Sequence, residues 1–337
     1  MNTITVMKRI LIQFKRDKRS MALMIVAPIF VLTLMWLVLD SDSSTLEVAV
    51  VDVPDPFIEK LESVDIELTA MSLTEAESAL DDAEIDGMIQ WNQKQPVITL
   101  EGSDPNTASA VQKELKSAFN AGTEQPFEID FWHGSDDMDL FDYIGPVLIG
   151  FFVFFFVFIV GGVSFLRERT QGTLERLLST PIKRGELVLG YLGGFGLFTV
   201  LQSLLIAAYS IYVLDLFMTG EFLYVLLVTF LLALTALSLG TLLSAFAKNE
   251  FQMIQFIPLV IVPQVFFSGL FPIEGLSYWL QGIGKVMPLT YGAEALRGIM
   301  LRGEGWMDFQ IQLYILVGFA LLFTILNIFA LKRHRSL

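Results

Sequence analysis

Six apolar runs without a single Asp, Glu, Lys, Arg or His divide this 337-residue chain. They cover approximately Ser20–Leu39, Ile144–Leu166, Leu187–Leu214, Phe222–Phe246, Met253–Phe271 and Phe309–Leu331. A helix rises about 1.5 Å per residue, so about 20 residues cross a hydrocarbon core of about 30 Å. Lipid offers the backbone no hydrogen-bond partner, and unbroken apolar runs meet that constraint as helices. The expected fold is therefore an α-helical polytopic membrane protein with six transmembrane helices. The hydrophobic content is 54%, above the ~45–50% of soluble domains, and the excess sits in these runs.

The first run competes with a signal peptide, whose apolar region is about 7–15 residues followed by a small-residue cleavage site. Ser20–Leu39 is longer, and DSDSSTLEV after it offers no such site. An uncleaved anchor is expected.

Charge sets orientation. Asp40–Asp142 holds 25 of the 36 acidic residues and only four lysines. Outside it, 11 acids face 18 bases, a net charge of +7. Lys and Arg favour the cytoplasmic side. The basic N-terminus, the 167–186 loop, Lys248 and the KRHRSL tail then fall inside, and the acidic segment outside. Lys285, Arg297 and Arg302 in the 272–308 loop are a mild conflict. That loop mixes aromatics, Gly and Pro. It reads either as a re-entrant or interfacial hairpin, permitted at membrane depth where protein covers its backbone, or as an ordinary structured outer loop.

The outer segment has the length of a small domain. LEVAVVDV (46–53), IELTAM (66–71), DGMIQW (86–91) and PVITLEG (96–102) are strand-like. Thr74 and Glu77 match a capping box for TEAESALDDAEI. Asp104 and Pro105 open a helix over 104–121, with Ala108, Val111, Leu115 and Phe119 on one face. A small α/β domain is expected. SDDMDLFD lacks the spacing of a calcium loop, and its acidity reads as a solvated surface.

No chemistry is evident. The chain has no cysteine and two histidines, so no metal centre is expected. No Ser/His/Asp grouping stands out, and no catalytic residue is assigned. GIGKV (282–286) fails the phosphate-loop pattern, with Trp279 in place of the first Gly and no Ser/Thr after Lys285. The charge-free spans argue against a proton relay. If the protein does work, its energy comes from a cytoplasmic partner. The 167–186 loop offers a handle. Leu174, Leu177, Leu178 and Ile182 recur at helical spacing, with Pro181 and Gly185 ending the helix. Leu177 and Leu178 suit a groove on another protein. A helix lying flat in the lipid interface fits the same pattern.

RERTQGTLERLLSTPIKRGELVLG resembles the cytoplasmic loop of ATP-binding-cassette type-2 permeases, the membrane half of bacterial exporters. Arg167, Glu168, Arg169, Gly172, Thr173, Leu174, Glu175, Leu178 and Pro181 carry the match. FFSGLFPIEGLSYWLQGIGKVMPLTYGAEALRGIM resembles a second family signature through Ser268, Gly269, Pro272, Pro288, Leu289, Thr290, Tyr291, Glu294, Leu296 and Arg297. Ser277 stands where the family often has a second Pro. The outer domain followed by five spans is similar to the multidrug and antibiotic-resistance subgroup.

The resemblance implies an organisation. Residues 1–19 are a cytoplasmic amphipathic elbow, with Ile4, Met7, Leu11 and Phe14 on one side and Lys8, Arg9, Lys15 and Arg16 around it. Residues 20–39 are the first span, 40–143 the extracytoplasmic α/β domain, 144–331 a five-helix membrane domain and 332–337 a cytoplasmic tail. Within the membrane domain, 168–182 is the coupling helix, with Glu168 and Glu175 pairing with the ATPase and Leu177 and Leu178 as its plug. Candidate path and gate residues are Phe152, Phe155, Phe156, Pro258, Pro263, Phe266 and Phe267, the two prolines kinking the fifth span. The outer loop contributes Pro272, Pro288, Tyr291, Glu294 and Arg297. The implied partners are a cytosolic ATPase holding ATP and Mg, a second identical or sister permease, membrane lipid and an amphiphilic cargo. This chain binds no cofactor of its own, and no nucleic acid is expected. The implied location is the bacterial cytoplasmic membrane, with both termini inside. A rival expectation is a membrane sensor or scaffold that reads a ligand through the acidic outer domain without pumping.

Overall fold

The computed structural model describes residues 3–39, 46–61, 64, 66–81, 84–92, 95–100, 111, 114–115, 118, 138, 140–271 and 278–333. Two compact units emerge, one of residues 40–132 and one of residues 1–39 with 133–337.

The smaller unit contains strands β1 (Leu46–Val51), β2 (Ile66–Ala70), β3 (Gly87–Asn92) and β4 (Gln95–Leu100) in the order β2-β1-β3-β4. β1 pairs in parallel with β2 and β3, and β4 closes an antiparallel hairpin with β3. All four strands fall where alternating or continuous apolar residues place them. Central β1 is covered on both faces. Val48 and Val50 join Leu61, Ile89, Val111 and Leu115, while Ala49 and Val51 join Ala76, Ile85 and Met88. That is why LEVAVV reads as a nearly unbroken apolar run. Most of the expected 104–121 helix lies outside the described residues; Val111 and Leu115 are helical and buried.

The capping box falls two residues earlier than expected. Ser72 caps helix Leu73–Asp81. The Ser72 backbone N–H donates to Glu75 at 3.1 Å and the Glu75 N–H donates to Ser72 Oγ at 3.4 Å. Thr74 and Glu77 lie inside the helix. The S-x-x-E spacing occurs here as well, and the end of β2 at Ala70 selects it. Helix Asp55–Leu61, following Pro54, was not anticipated.

In the larger unit we number the helices onward from α1 (Thr3–Arg16) and α2 (Lys18–Leu39), with α3 and α4 (Asp55–Leu61 and Leu73–Asp81) in the smaller unit. They continue as α5 (Leu140–Thr170), α6 (Thr173–Leu178), α7 (Arg184–Tyr212), α8 (Phe222–Ser244) and α9 (Glu250–Val265). A π turn at Phe266–Leu270 leads to α10 (Tyr278–Gly284), α11 (Pro288–Arg302) and α12 (Trp306–Arg333). Among the described residues, six helices are long and apolar enough to cross a membrane: α2, α5, α7, α8, α9 with the π turn, and α12. They match the six runs, extended at several ends by polar turns.

The bundle is built around α5 and α8. At their crossing a Cβ on Gly240 would sit 2.5 Å from the Phe158 carbonyl oxygen, so only a glycine permits that approach. The buried hydroxyls of Thr229, Ser238, Thr241 and Ser244 bond carbonyls one turn back on α8. Asn327 of α12 donates to both the Ser238 carbonyl and Thr241 Oγ1 at 2.9 Å, a polar clamp inside the apolar bundle. On α2, α9 and α12 the outward residues are apolar, among them Phe30, Leu259 and Phe329. Those faces suit lipid.

Candidate functional site

At 31 residues, α5 is roughly 46 Å long, well beyond a hydrocarbon core. Its last turn therefore projects past the apolar layer and carries Arg167, Glu168 and Arg169 there. Three successive side chains on a helix point about 100° apart, so each reaches a different element. Arg167 grips Glu250 at the start of α9 with two bonds, Nε to Oε1 at 2.7 Å and Nη2 to Oε2 at 3.3 Å; its Nη1 lies 3.9 Å from Asp17. Arg169 donates to the carbonyls of Ala245 and Ala247, where the end of α8 leaves acceptors unpaired.

Glu168 is 3% exposed. Its carboxylate accepts from Arg9 at 2.8 Å, from the Tyr191 hydroxyl at 2.9 Å and from Gln13. Its position is a correction: with both oxygens bonded inside the chain, Glu168 presents no carboxylate to an ATPase. It ties α5 to the elbow helix α1 and to α7.

The elbow also uses a different face from the one expected. Val6, Ile10 and Phe14 are buried, Met7 and Leu11 are half-buried, and Ile4 is 63% exposed. Gly190 and Gly194 of α7 select this face. A Cβ at Gly190 would meet Val6 Cβ at 2.6 Å, and one at Gly194 would meet Ile10 Cβ at 2.7 Å. Phe14 packs edge-on against Phe195 with ring centres 5.4 Å apart. Lys8 and Arg16 are exposed while Arg9 points to Glu168.

The expected coupling helix, 168–182, is shorter in the structure. Residues 168–170 still belong to α5, and α6 spans Thr173–Leu178. Gly172 breaks the two apart with φ of 71°, a left-handed conformation that suits glycine. Arg176 donates back to the Gly172 and Gln171 carbonyls. Leu174, Leu177 and Ile182 are buried in this chain's own core, and Leu178 packs half-buried against it. The Leu177–Leu178 plug is thus spent on seating α6. What α6 and its flanks show outward is polar: Gln171, Glu175, Arg176, Ser179 and Lys183, with Pro181. Gly185 does not end this helix; it lies in the first turn of α7, where Glu186 accepts from the Lys183 N–H at 3.0 Å.

Among the expected path residues, Phe152, Phe156 and Phe267 are buried inside the bundle, a packing role. Phe155 is half-buried and stacks on Phe151. Pro258 is exposed, Pro263 half-buried, and Phe266 is 42% exposed. Helix α9 continues through both prolines. The departure from helical dihedrals comes later, at Gly269 in the π turn, with φ of 90°. Pro272 lies outside the described residues.

The described part of the 272–308 loop packs into the bundle. At its deep end, Leu289 N–H donates to the buried Gln264 Oε1 at 2.9 Å. Leu296 and Leu289 pack toward Gly150, ten residues into α5, and Leu232, ten residues into α8, packs on Gly292. At its shallow end, Thr219 N–H and Oγ1 both donate to the Met300 carbonyl, at 2.9 and 2.7 Å. Helix α11 therefore starts roughly 15 Å down the spans and climbs back to their end. Pro288 opens the helix, where its missing N–H costs nothing. Tyr291 donates to the Lys285 carbonyl at 2.8 Å and Arg297 to the Gly269 carbonyl at 2.8 Å. Glu294 is exposed.

The pattern of the ABC-2 family transporter protein matches residues 18–329, nearly the whole chain. This chain belongs to the ABC-2 transporter family. It is 28% identical over 188 residues to "ABC transporter G family member 20" of Dictyostelium discoideum, covering 54% of this chain and 26% of that protein. It is 25% identical over 262 residues to "Probable multidrug ABC transporter permease YbhS" of Escherichia coli (strain K12), covering 73% of this chain and 69% of that one. Nodulation protein J of Rhizobium meliloti (strain 1021) is 32% identical over 148 residues, covering 41% of this chain and 53% of that protein. The chain spans about a quarter of the first relative's length and about two thirds of the second's. As an ABC-2 family member, it is a membrane component of a transporter. The sequence did not reveal Gln13, Tyr191, Glu250 or Gln264 as anchors, since each acts across a long separation. The Gly190/Gly194 spacing was a legible signal for close helix packing.

Proposed function

We propose that this chain is the permease half of an ATP-driven exporter. A separate cytosolic ATPase grips the polar surface of residues 171–183, two permeases pair, and the cargo is an amphiphilic or hydrophobic molecule such as a drug, antibiotic or lipid. Both termini lie in the cytoplasm of a bacterial cell, and ATP and Mg bind on the ATPase. The observation that carries this reading is the three-way fastening of Arg167, Glu168 and Arg169 beneath an outward polar face. A push on α6 passes into α5, the elbow, α7 and α9 together, because charge-assisted bonds join their ends. When ATP draws the two ATPases together, these ends move as one body, which closes the inner mouth and opens a path outward. The names of the relatives, two of them multidrug permeases, support the cargo class.

Coupling is tested in the cysteine-free chain. A single cysteine at Ser179 is expected to cross-link to an ATP-binding subunit in native membranes, and one at Thr99 to react with reagents outside. Glu175→Lys is expected to abolish export and ATPase stimulation while membrane insertion stays normal. Normal export in Glu175→Lys, or labelling of both cysteines from the same side, defeats the reading.

A further inference from the structure

Among the described residues, no group neutralises one carboxylate of helix α11. Glu294 is exposed and, among the described residues, makes no hydrogen bond and no ion pair. It lies six residues from Met300, whose carbonyl is bound to Thr219 at the outer end of the spans. Glu294 is therefore roughly 9 Å below that level. A carboxylate at hydrocarbon depth is costly, and such groups face a water-filled cavity or the interior of an assembly.

Its neighbours keep it open. Thr290 and Arg297 lie one turn to either side on α11, and both are fastened to the π turn, Thr290 to the Phe267 carbonyl and Arg297 to that of Gly269. The spacing of Glu294 and Arg297 would permit an ion pair. Arg297 instead sits 5.2 Å from the centre of the Tyr143 ring and bonds the π turn, leaving the carboxylate unpaired. The same π turn exposes Phe266, stacked on Phe271 with ring centres 5.5 Å apart, and Phe271 is 51% exposed. An unpaired carboxylate on a helix fastened to a turn that exposes aromatic faces offers the chemistry that holds an organic cation with apolar substituents.

We propose that Glu294 recognises positive charge on the cargo, and that the favoured cargo is a cationic amphiphile. This rests on the exporter reading above. The test uses the purified permease with its ATPase in lipid vesicles and two probes, the permanent cation tetraphenylphosphonium and its neutral relative triphenylphosphine oxide. Nucleotide-free binding is measured first. Glu294→Gln is expected to weaken binding of the cation by about tenfold or more, a loss of the size that one desolvated charge contact supplies. Binding of the neutral probe stays within about twofold, and Glu294→Asp retains most of the cation binding. ATP-driven uptake into inside-out vesicles then falls for the cation alone. Equal cation binding by wild type and Glu294→Gln overturns the proposal. So does equal loss of both probes, dissociation of the permease pair in the variant, or a wild type that binds neither probe. If Glu294-dependent binding is seen but neither probe is pumped, the site stands and the exporter reading fails.

Discussion

At the end of α5, Arg167 has Glu250, Glu168 has Arg9, Gln13 and Tyr191, and Arg169 has two carbonyls. On α11, Arg297 is held by a carbonyl and a ring while Glu294, one turn away, has no counter-charge among the described residues. Both segments lie at the edge of one helix bundle and both carry a Glu close to an Arg. The first spends every charge on joining helices and leaves only the polar skin of α6 outward. The second spends its hydrogen bonds on positioning backbone and leaves a charge open. A joint that transmits force needs satisfied groups, because an unpaired buried charge is a point of failure. A surface that meets a ligand needs the opposite.

The largest test of this contrast is Glu168→Ala. It strands Arg9 and the Tyr191 hydroxyl, and about 3 kcal/mol of stability should be lost. That is the low end for a broken buried pair, because Arg9 stays a third exposed. Denaturant unfolding in detergent, with an Arg9→Ala by Glu168→Ala cycle, measures it. A loss below about 0.5 kcal/mol would put Glu168 in the same class as Glu294 and dissolve the comparison. Glu294→Ala is expected to stay within about 0.5 kcal/mol.

Next comes the seating of the elbow. Gly190→Leu forces a branched side chain into Val6, and about 2 kcal/mol of overpacking is expected, read as faster proteolysis within residues 3–16. Gly196→Ala is the control, since no atom lies within 4 Å of its would-be Cβ, and it should not speed proteolysis within residues 3–16. On the outer side, Gln264→Leu removes the acceptor for the buried Leu289 N–H. A cost of about 1–2 kcal/mol and faster hydrogen exchange at Leu289 are expected. Unchanged exchange there would mean that the deep end of α11 is not anchored by Gln264.

The spans, the four strands and the family were legible because each rests on local pattern: uncharged runs of about 20 residues, alternation over five or six, and contiguous motifs. The faces were not. Ile4, Met7, Leu11 and Phe14 form an acceptable helical stripe, yet Val6, Ile10 and Phe14 are buried, because Gly190 and Gly194 lie some 180 residues away and choose the face. Leu177 read as a plug for a partner because the sequence does not show that this chain's own core already takes it up. Glu168 and Glu175 look alike in RERTQGTLERLL, and only the position of the elbow separates a buried latch from an exposed contact. How α11 packs into the bundle was not legible either, since Leu232, Gly150 and Gln264 set it, and none of them is near it in sequence.

The smallest predicted effect asks whether hydrogen bonds without a counter-charge suffice to favour a carboxylate. Glu75 in the outer unit is fully exposed, but the Ser72 hydroxyl and N–H donate to it, and these bonds hold its carboxyl below the ordinary Glu value. A depressed folded-state pKa means that the ionised form is favoured by folding. Its contribution is present above the ordinary Glu range and fades as pH falls through the folded value. Ser72→Ala deletes the larger cause, the side-chain bond, and leaves the backbone one. The Glu75 carboxyl chemical shift, followed against pH, should then titrate closer to the ordinary value, and the acid limb of the unfolding curve should lose a small part of its pH dependence. If the titration stays where it is, the Ser72 hydroxyl does not set it, and the remaining backbone N–H bond alone holds the carboxyl down.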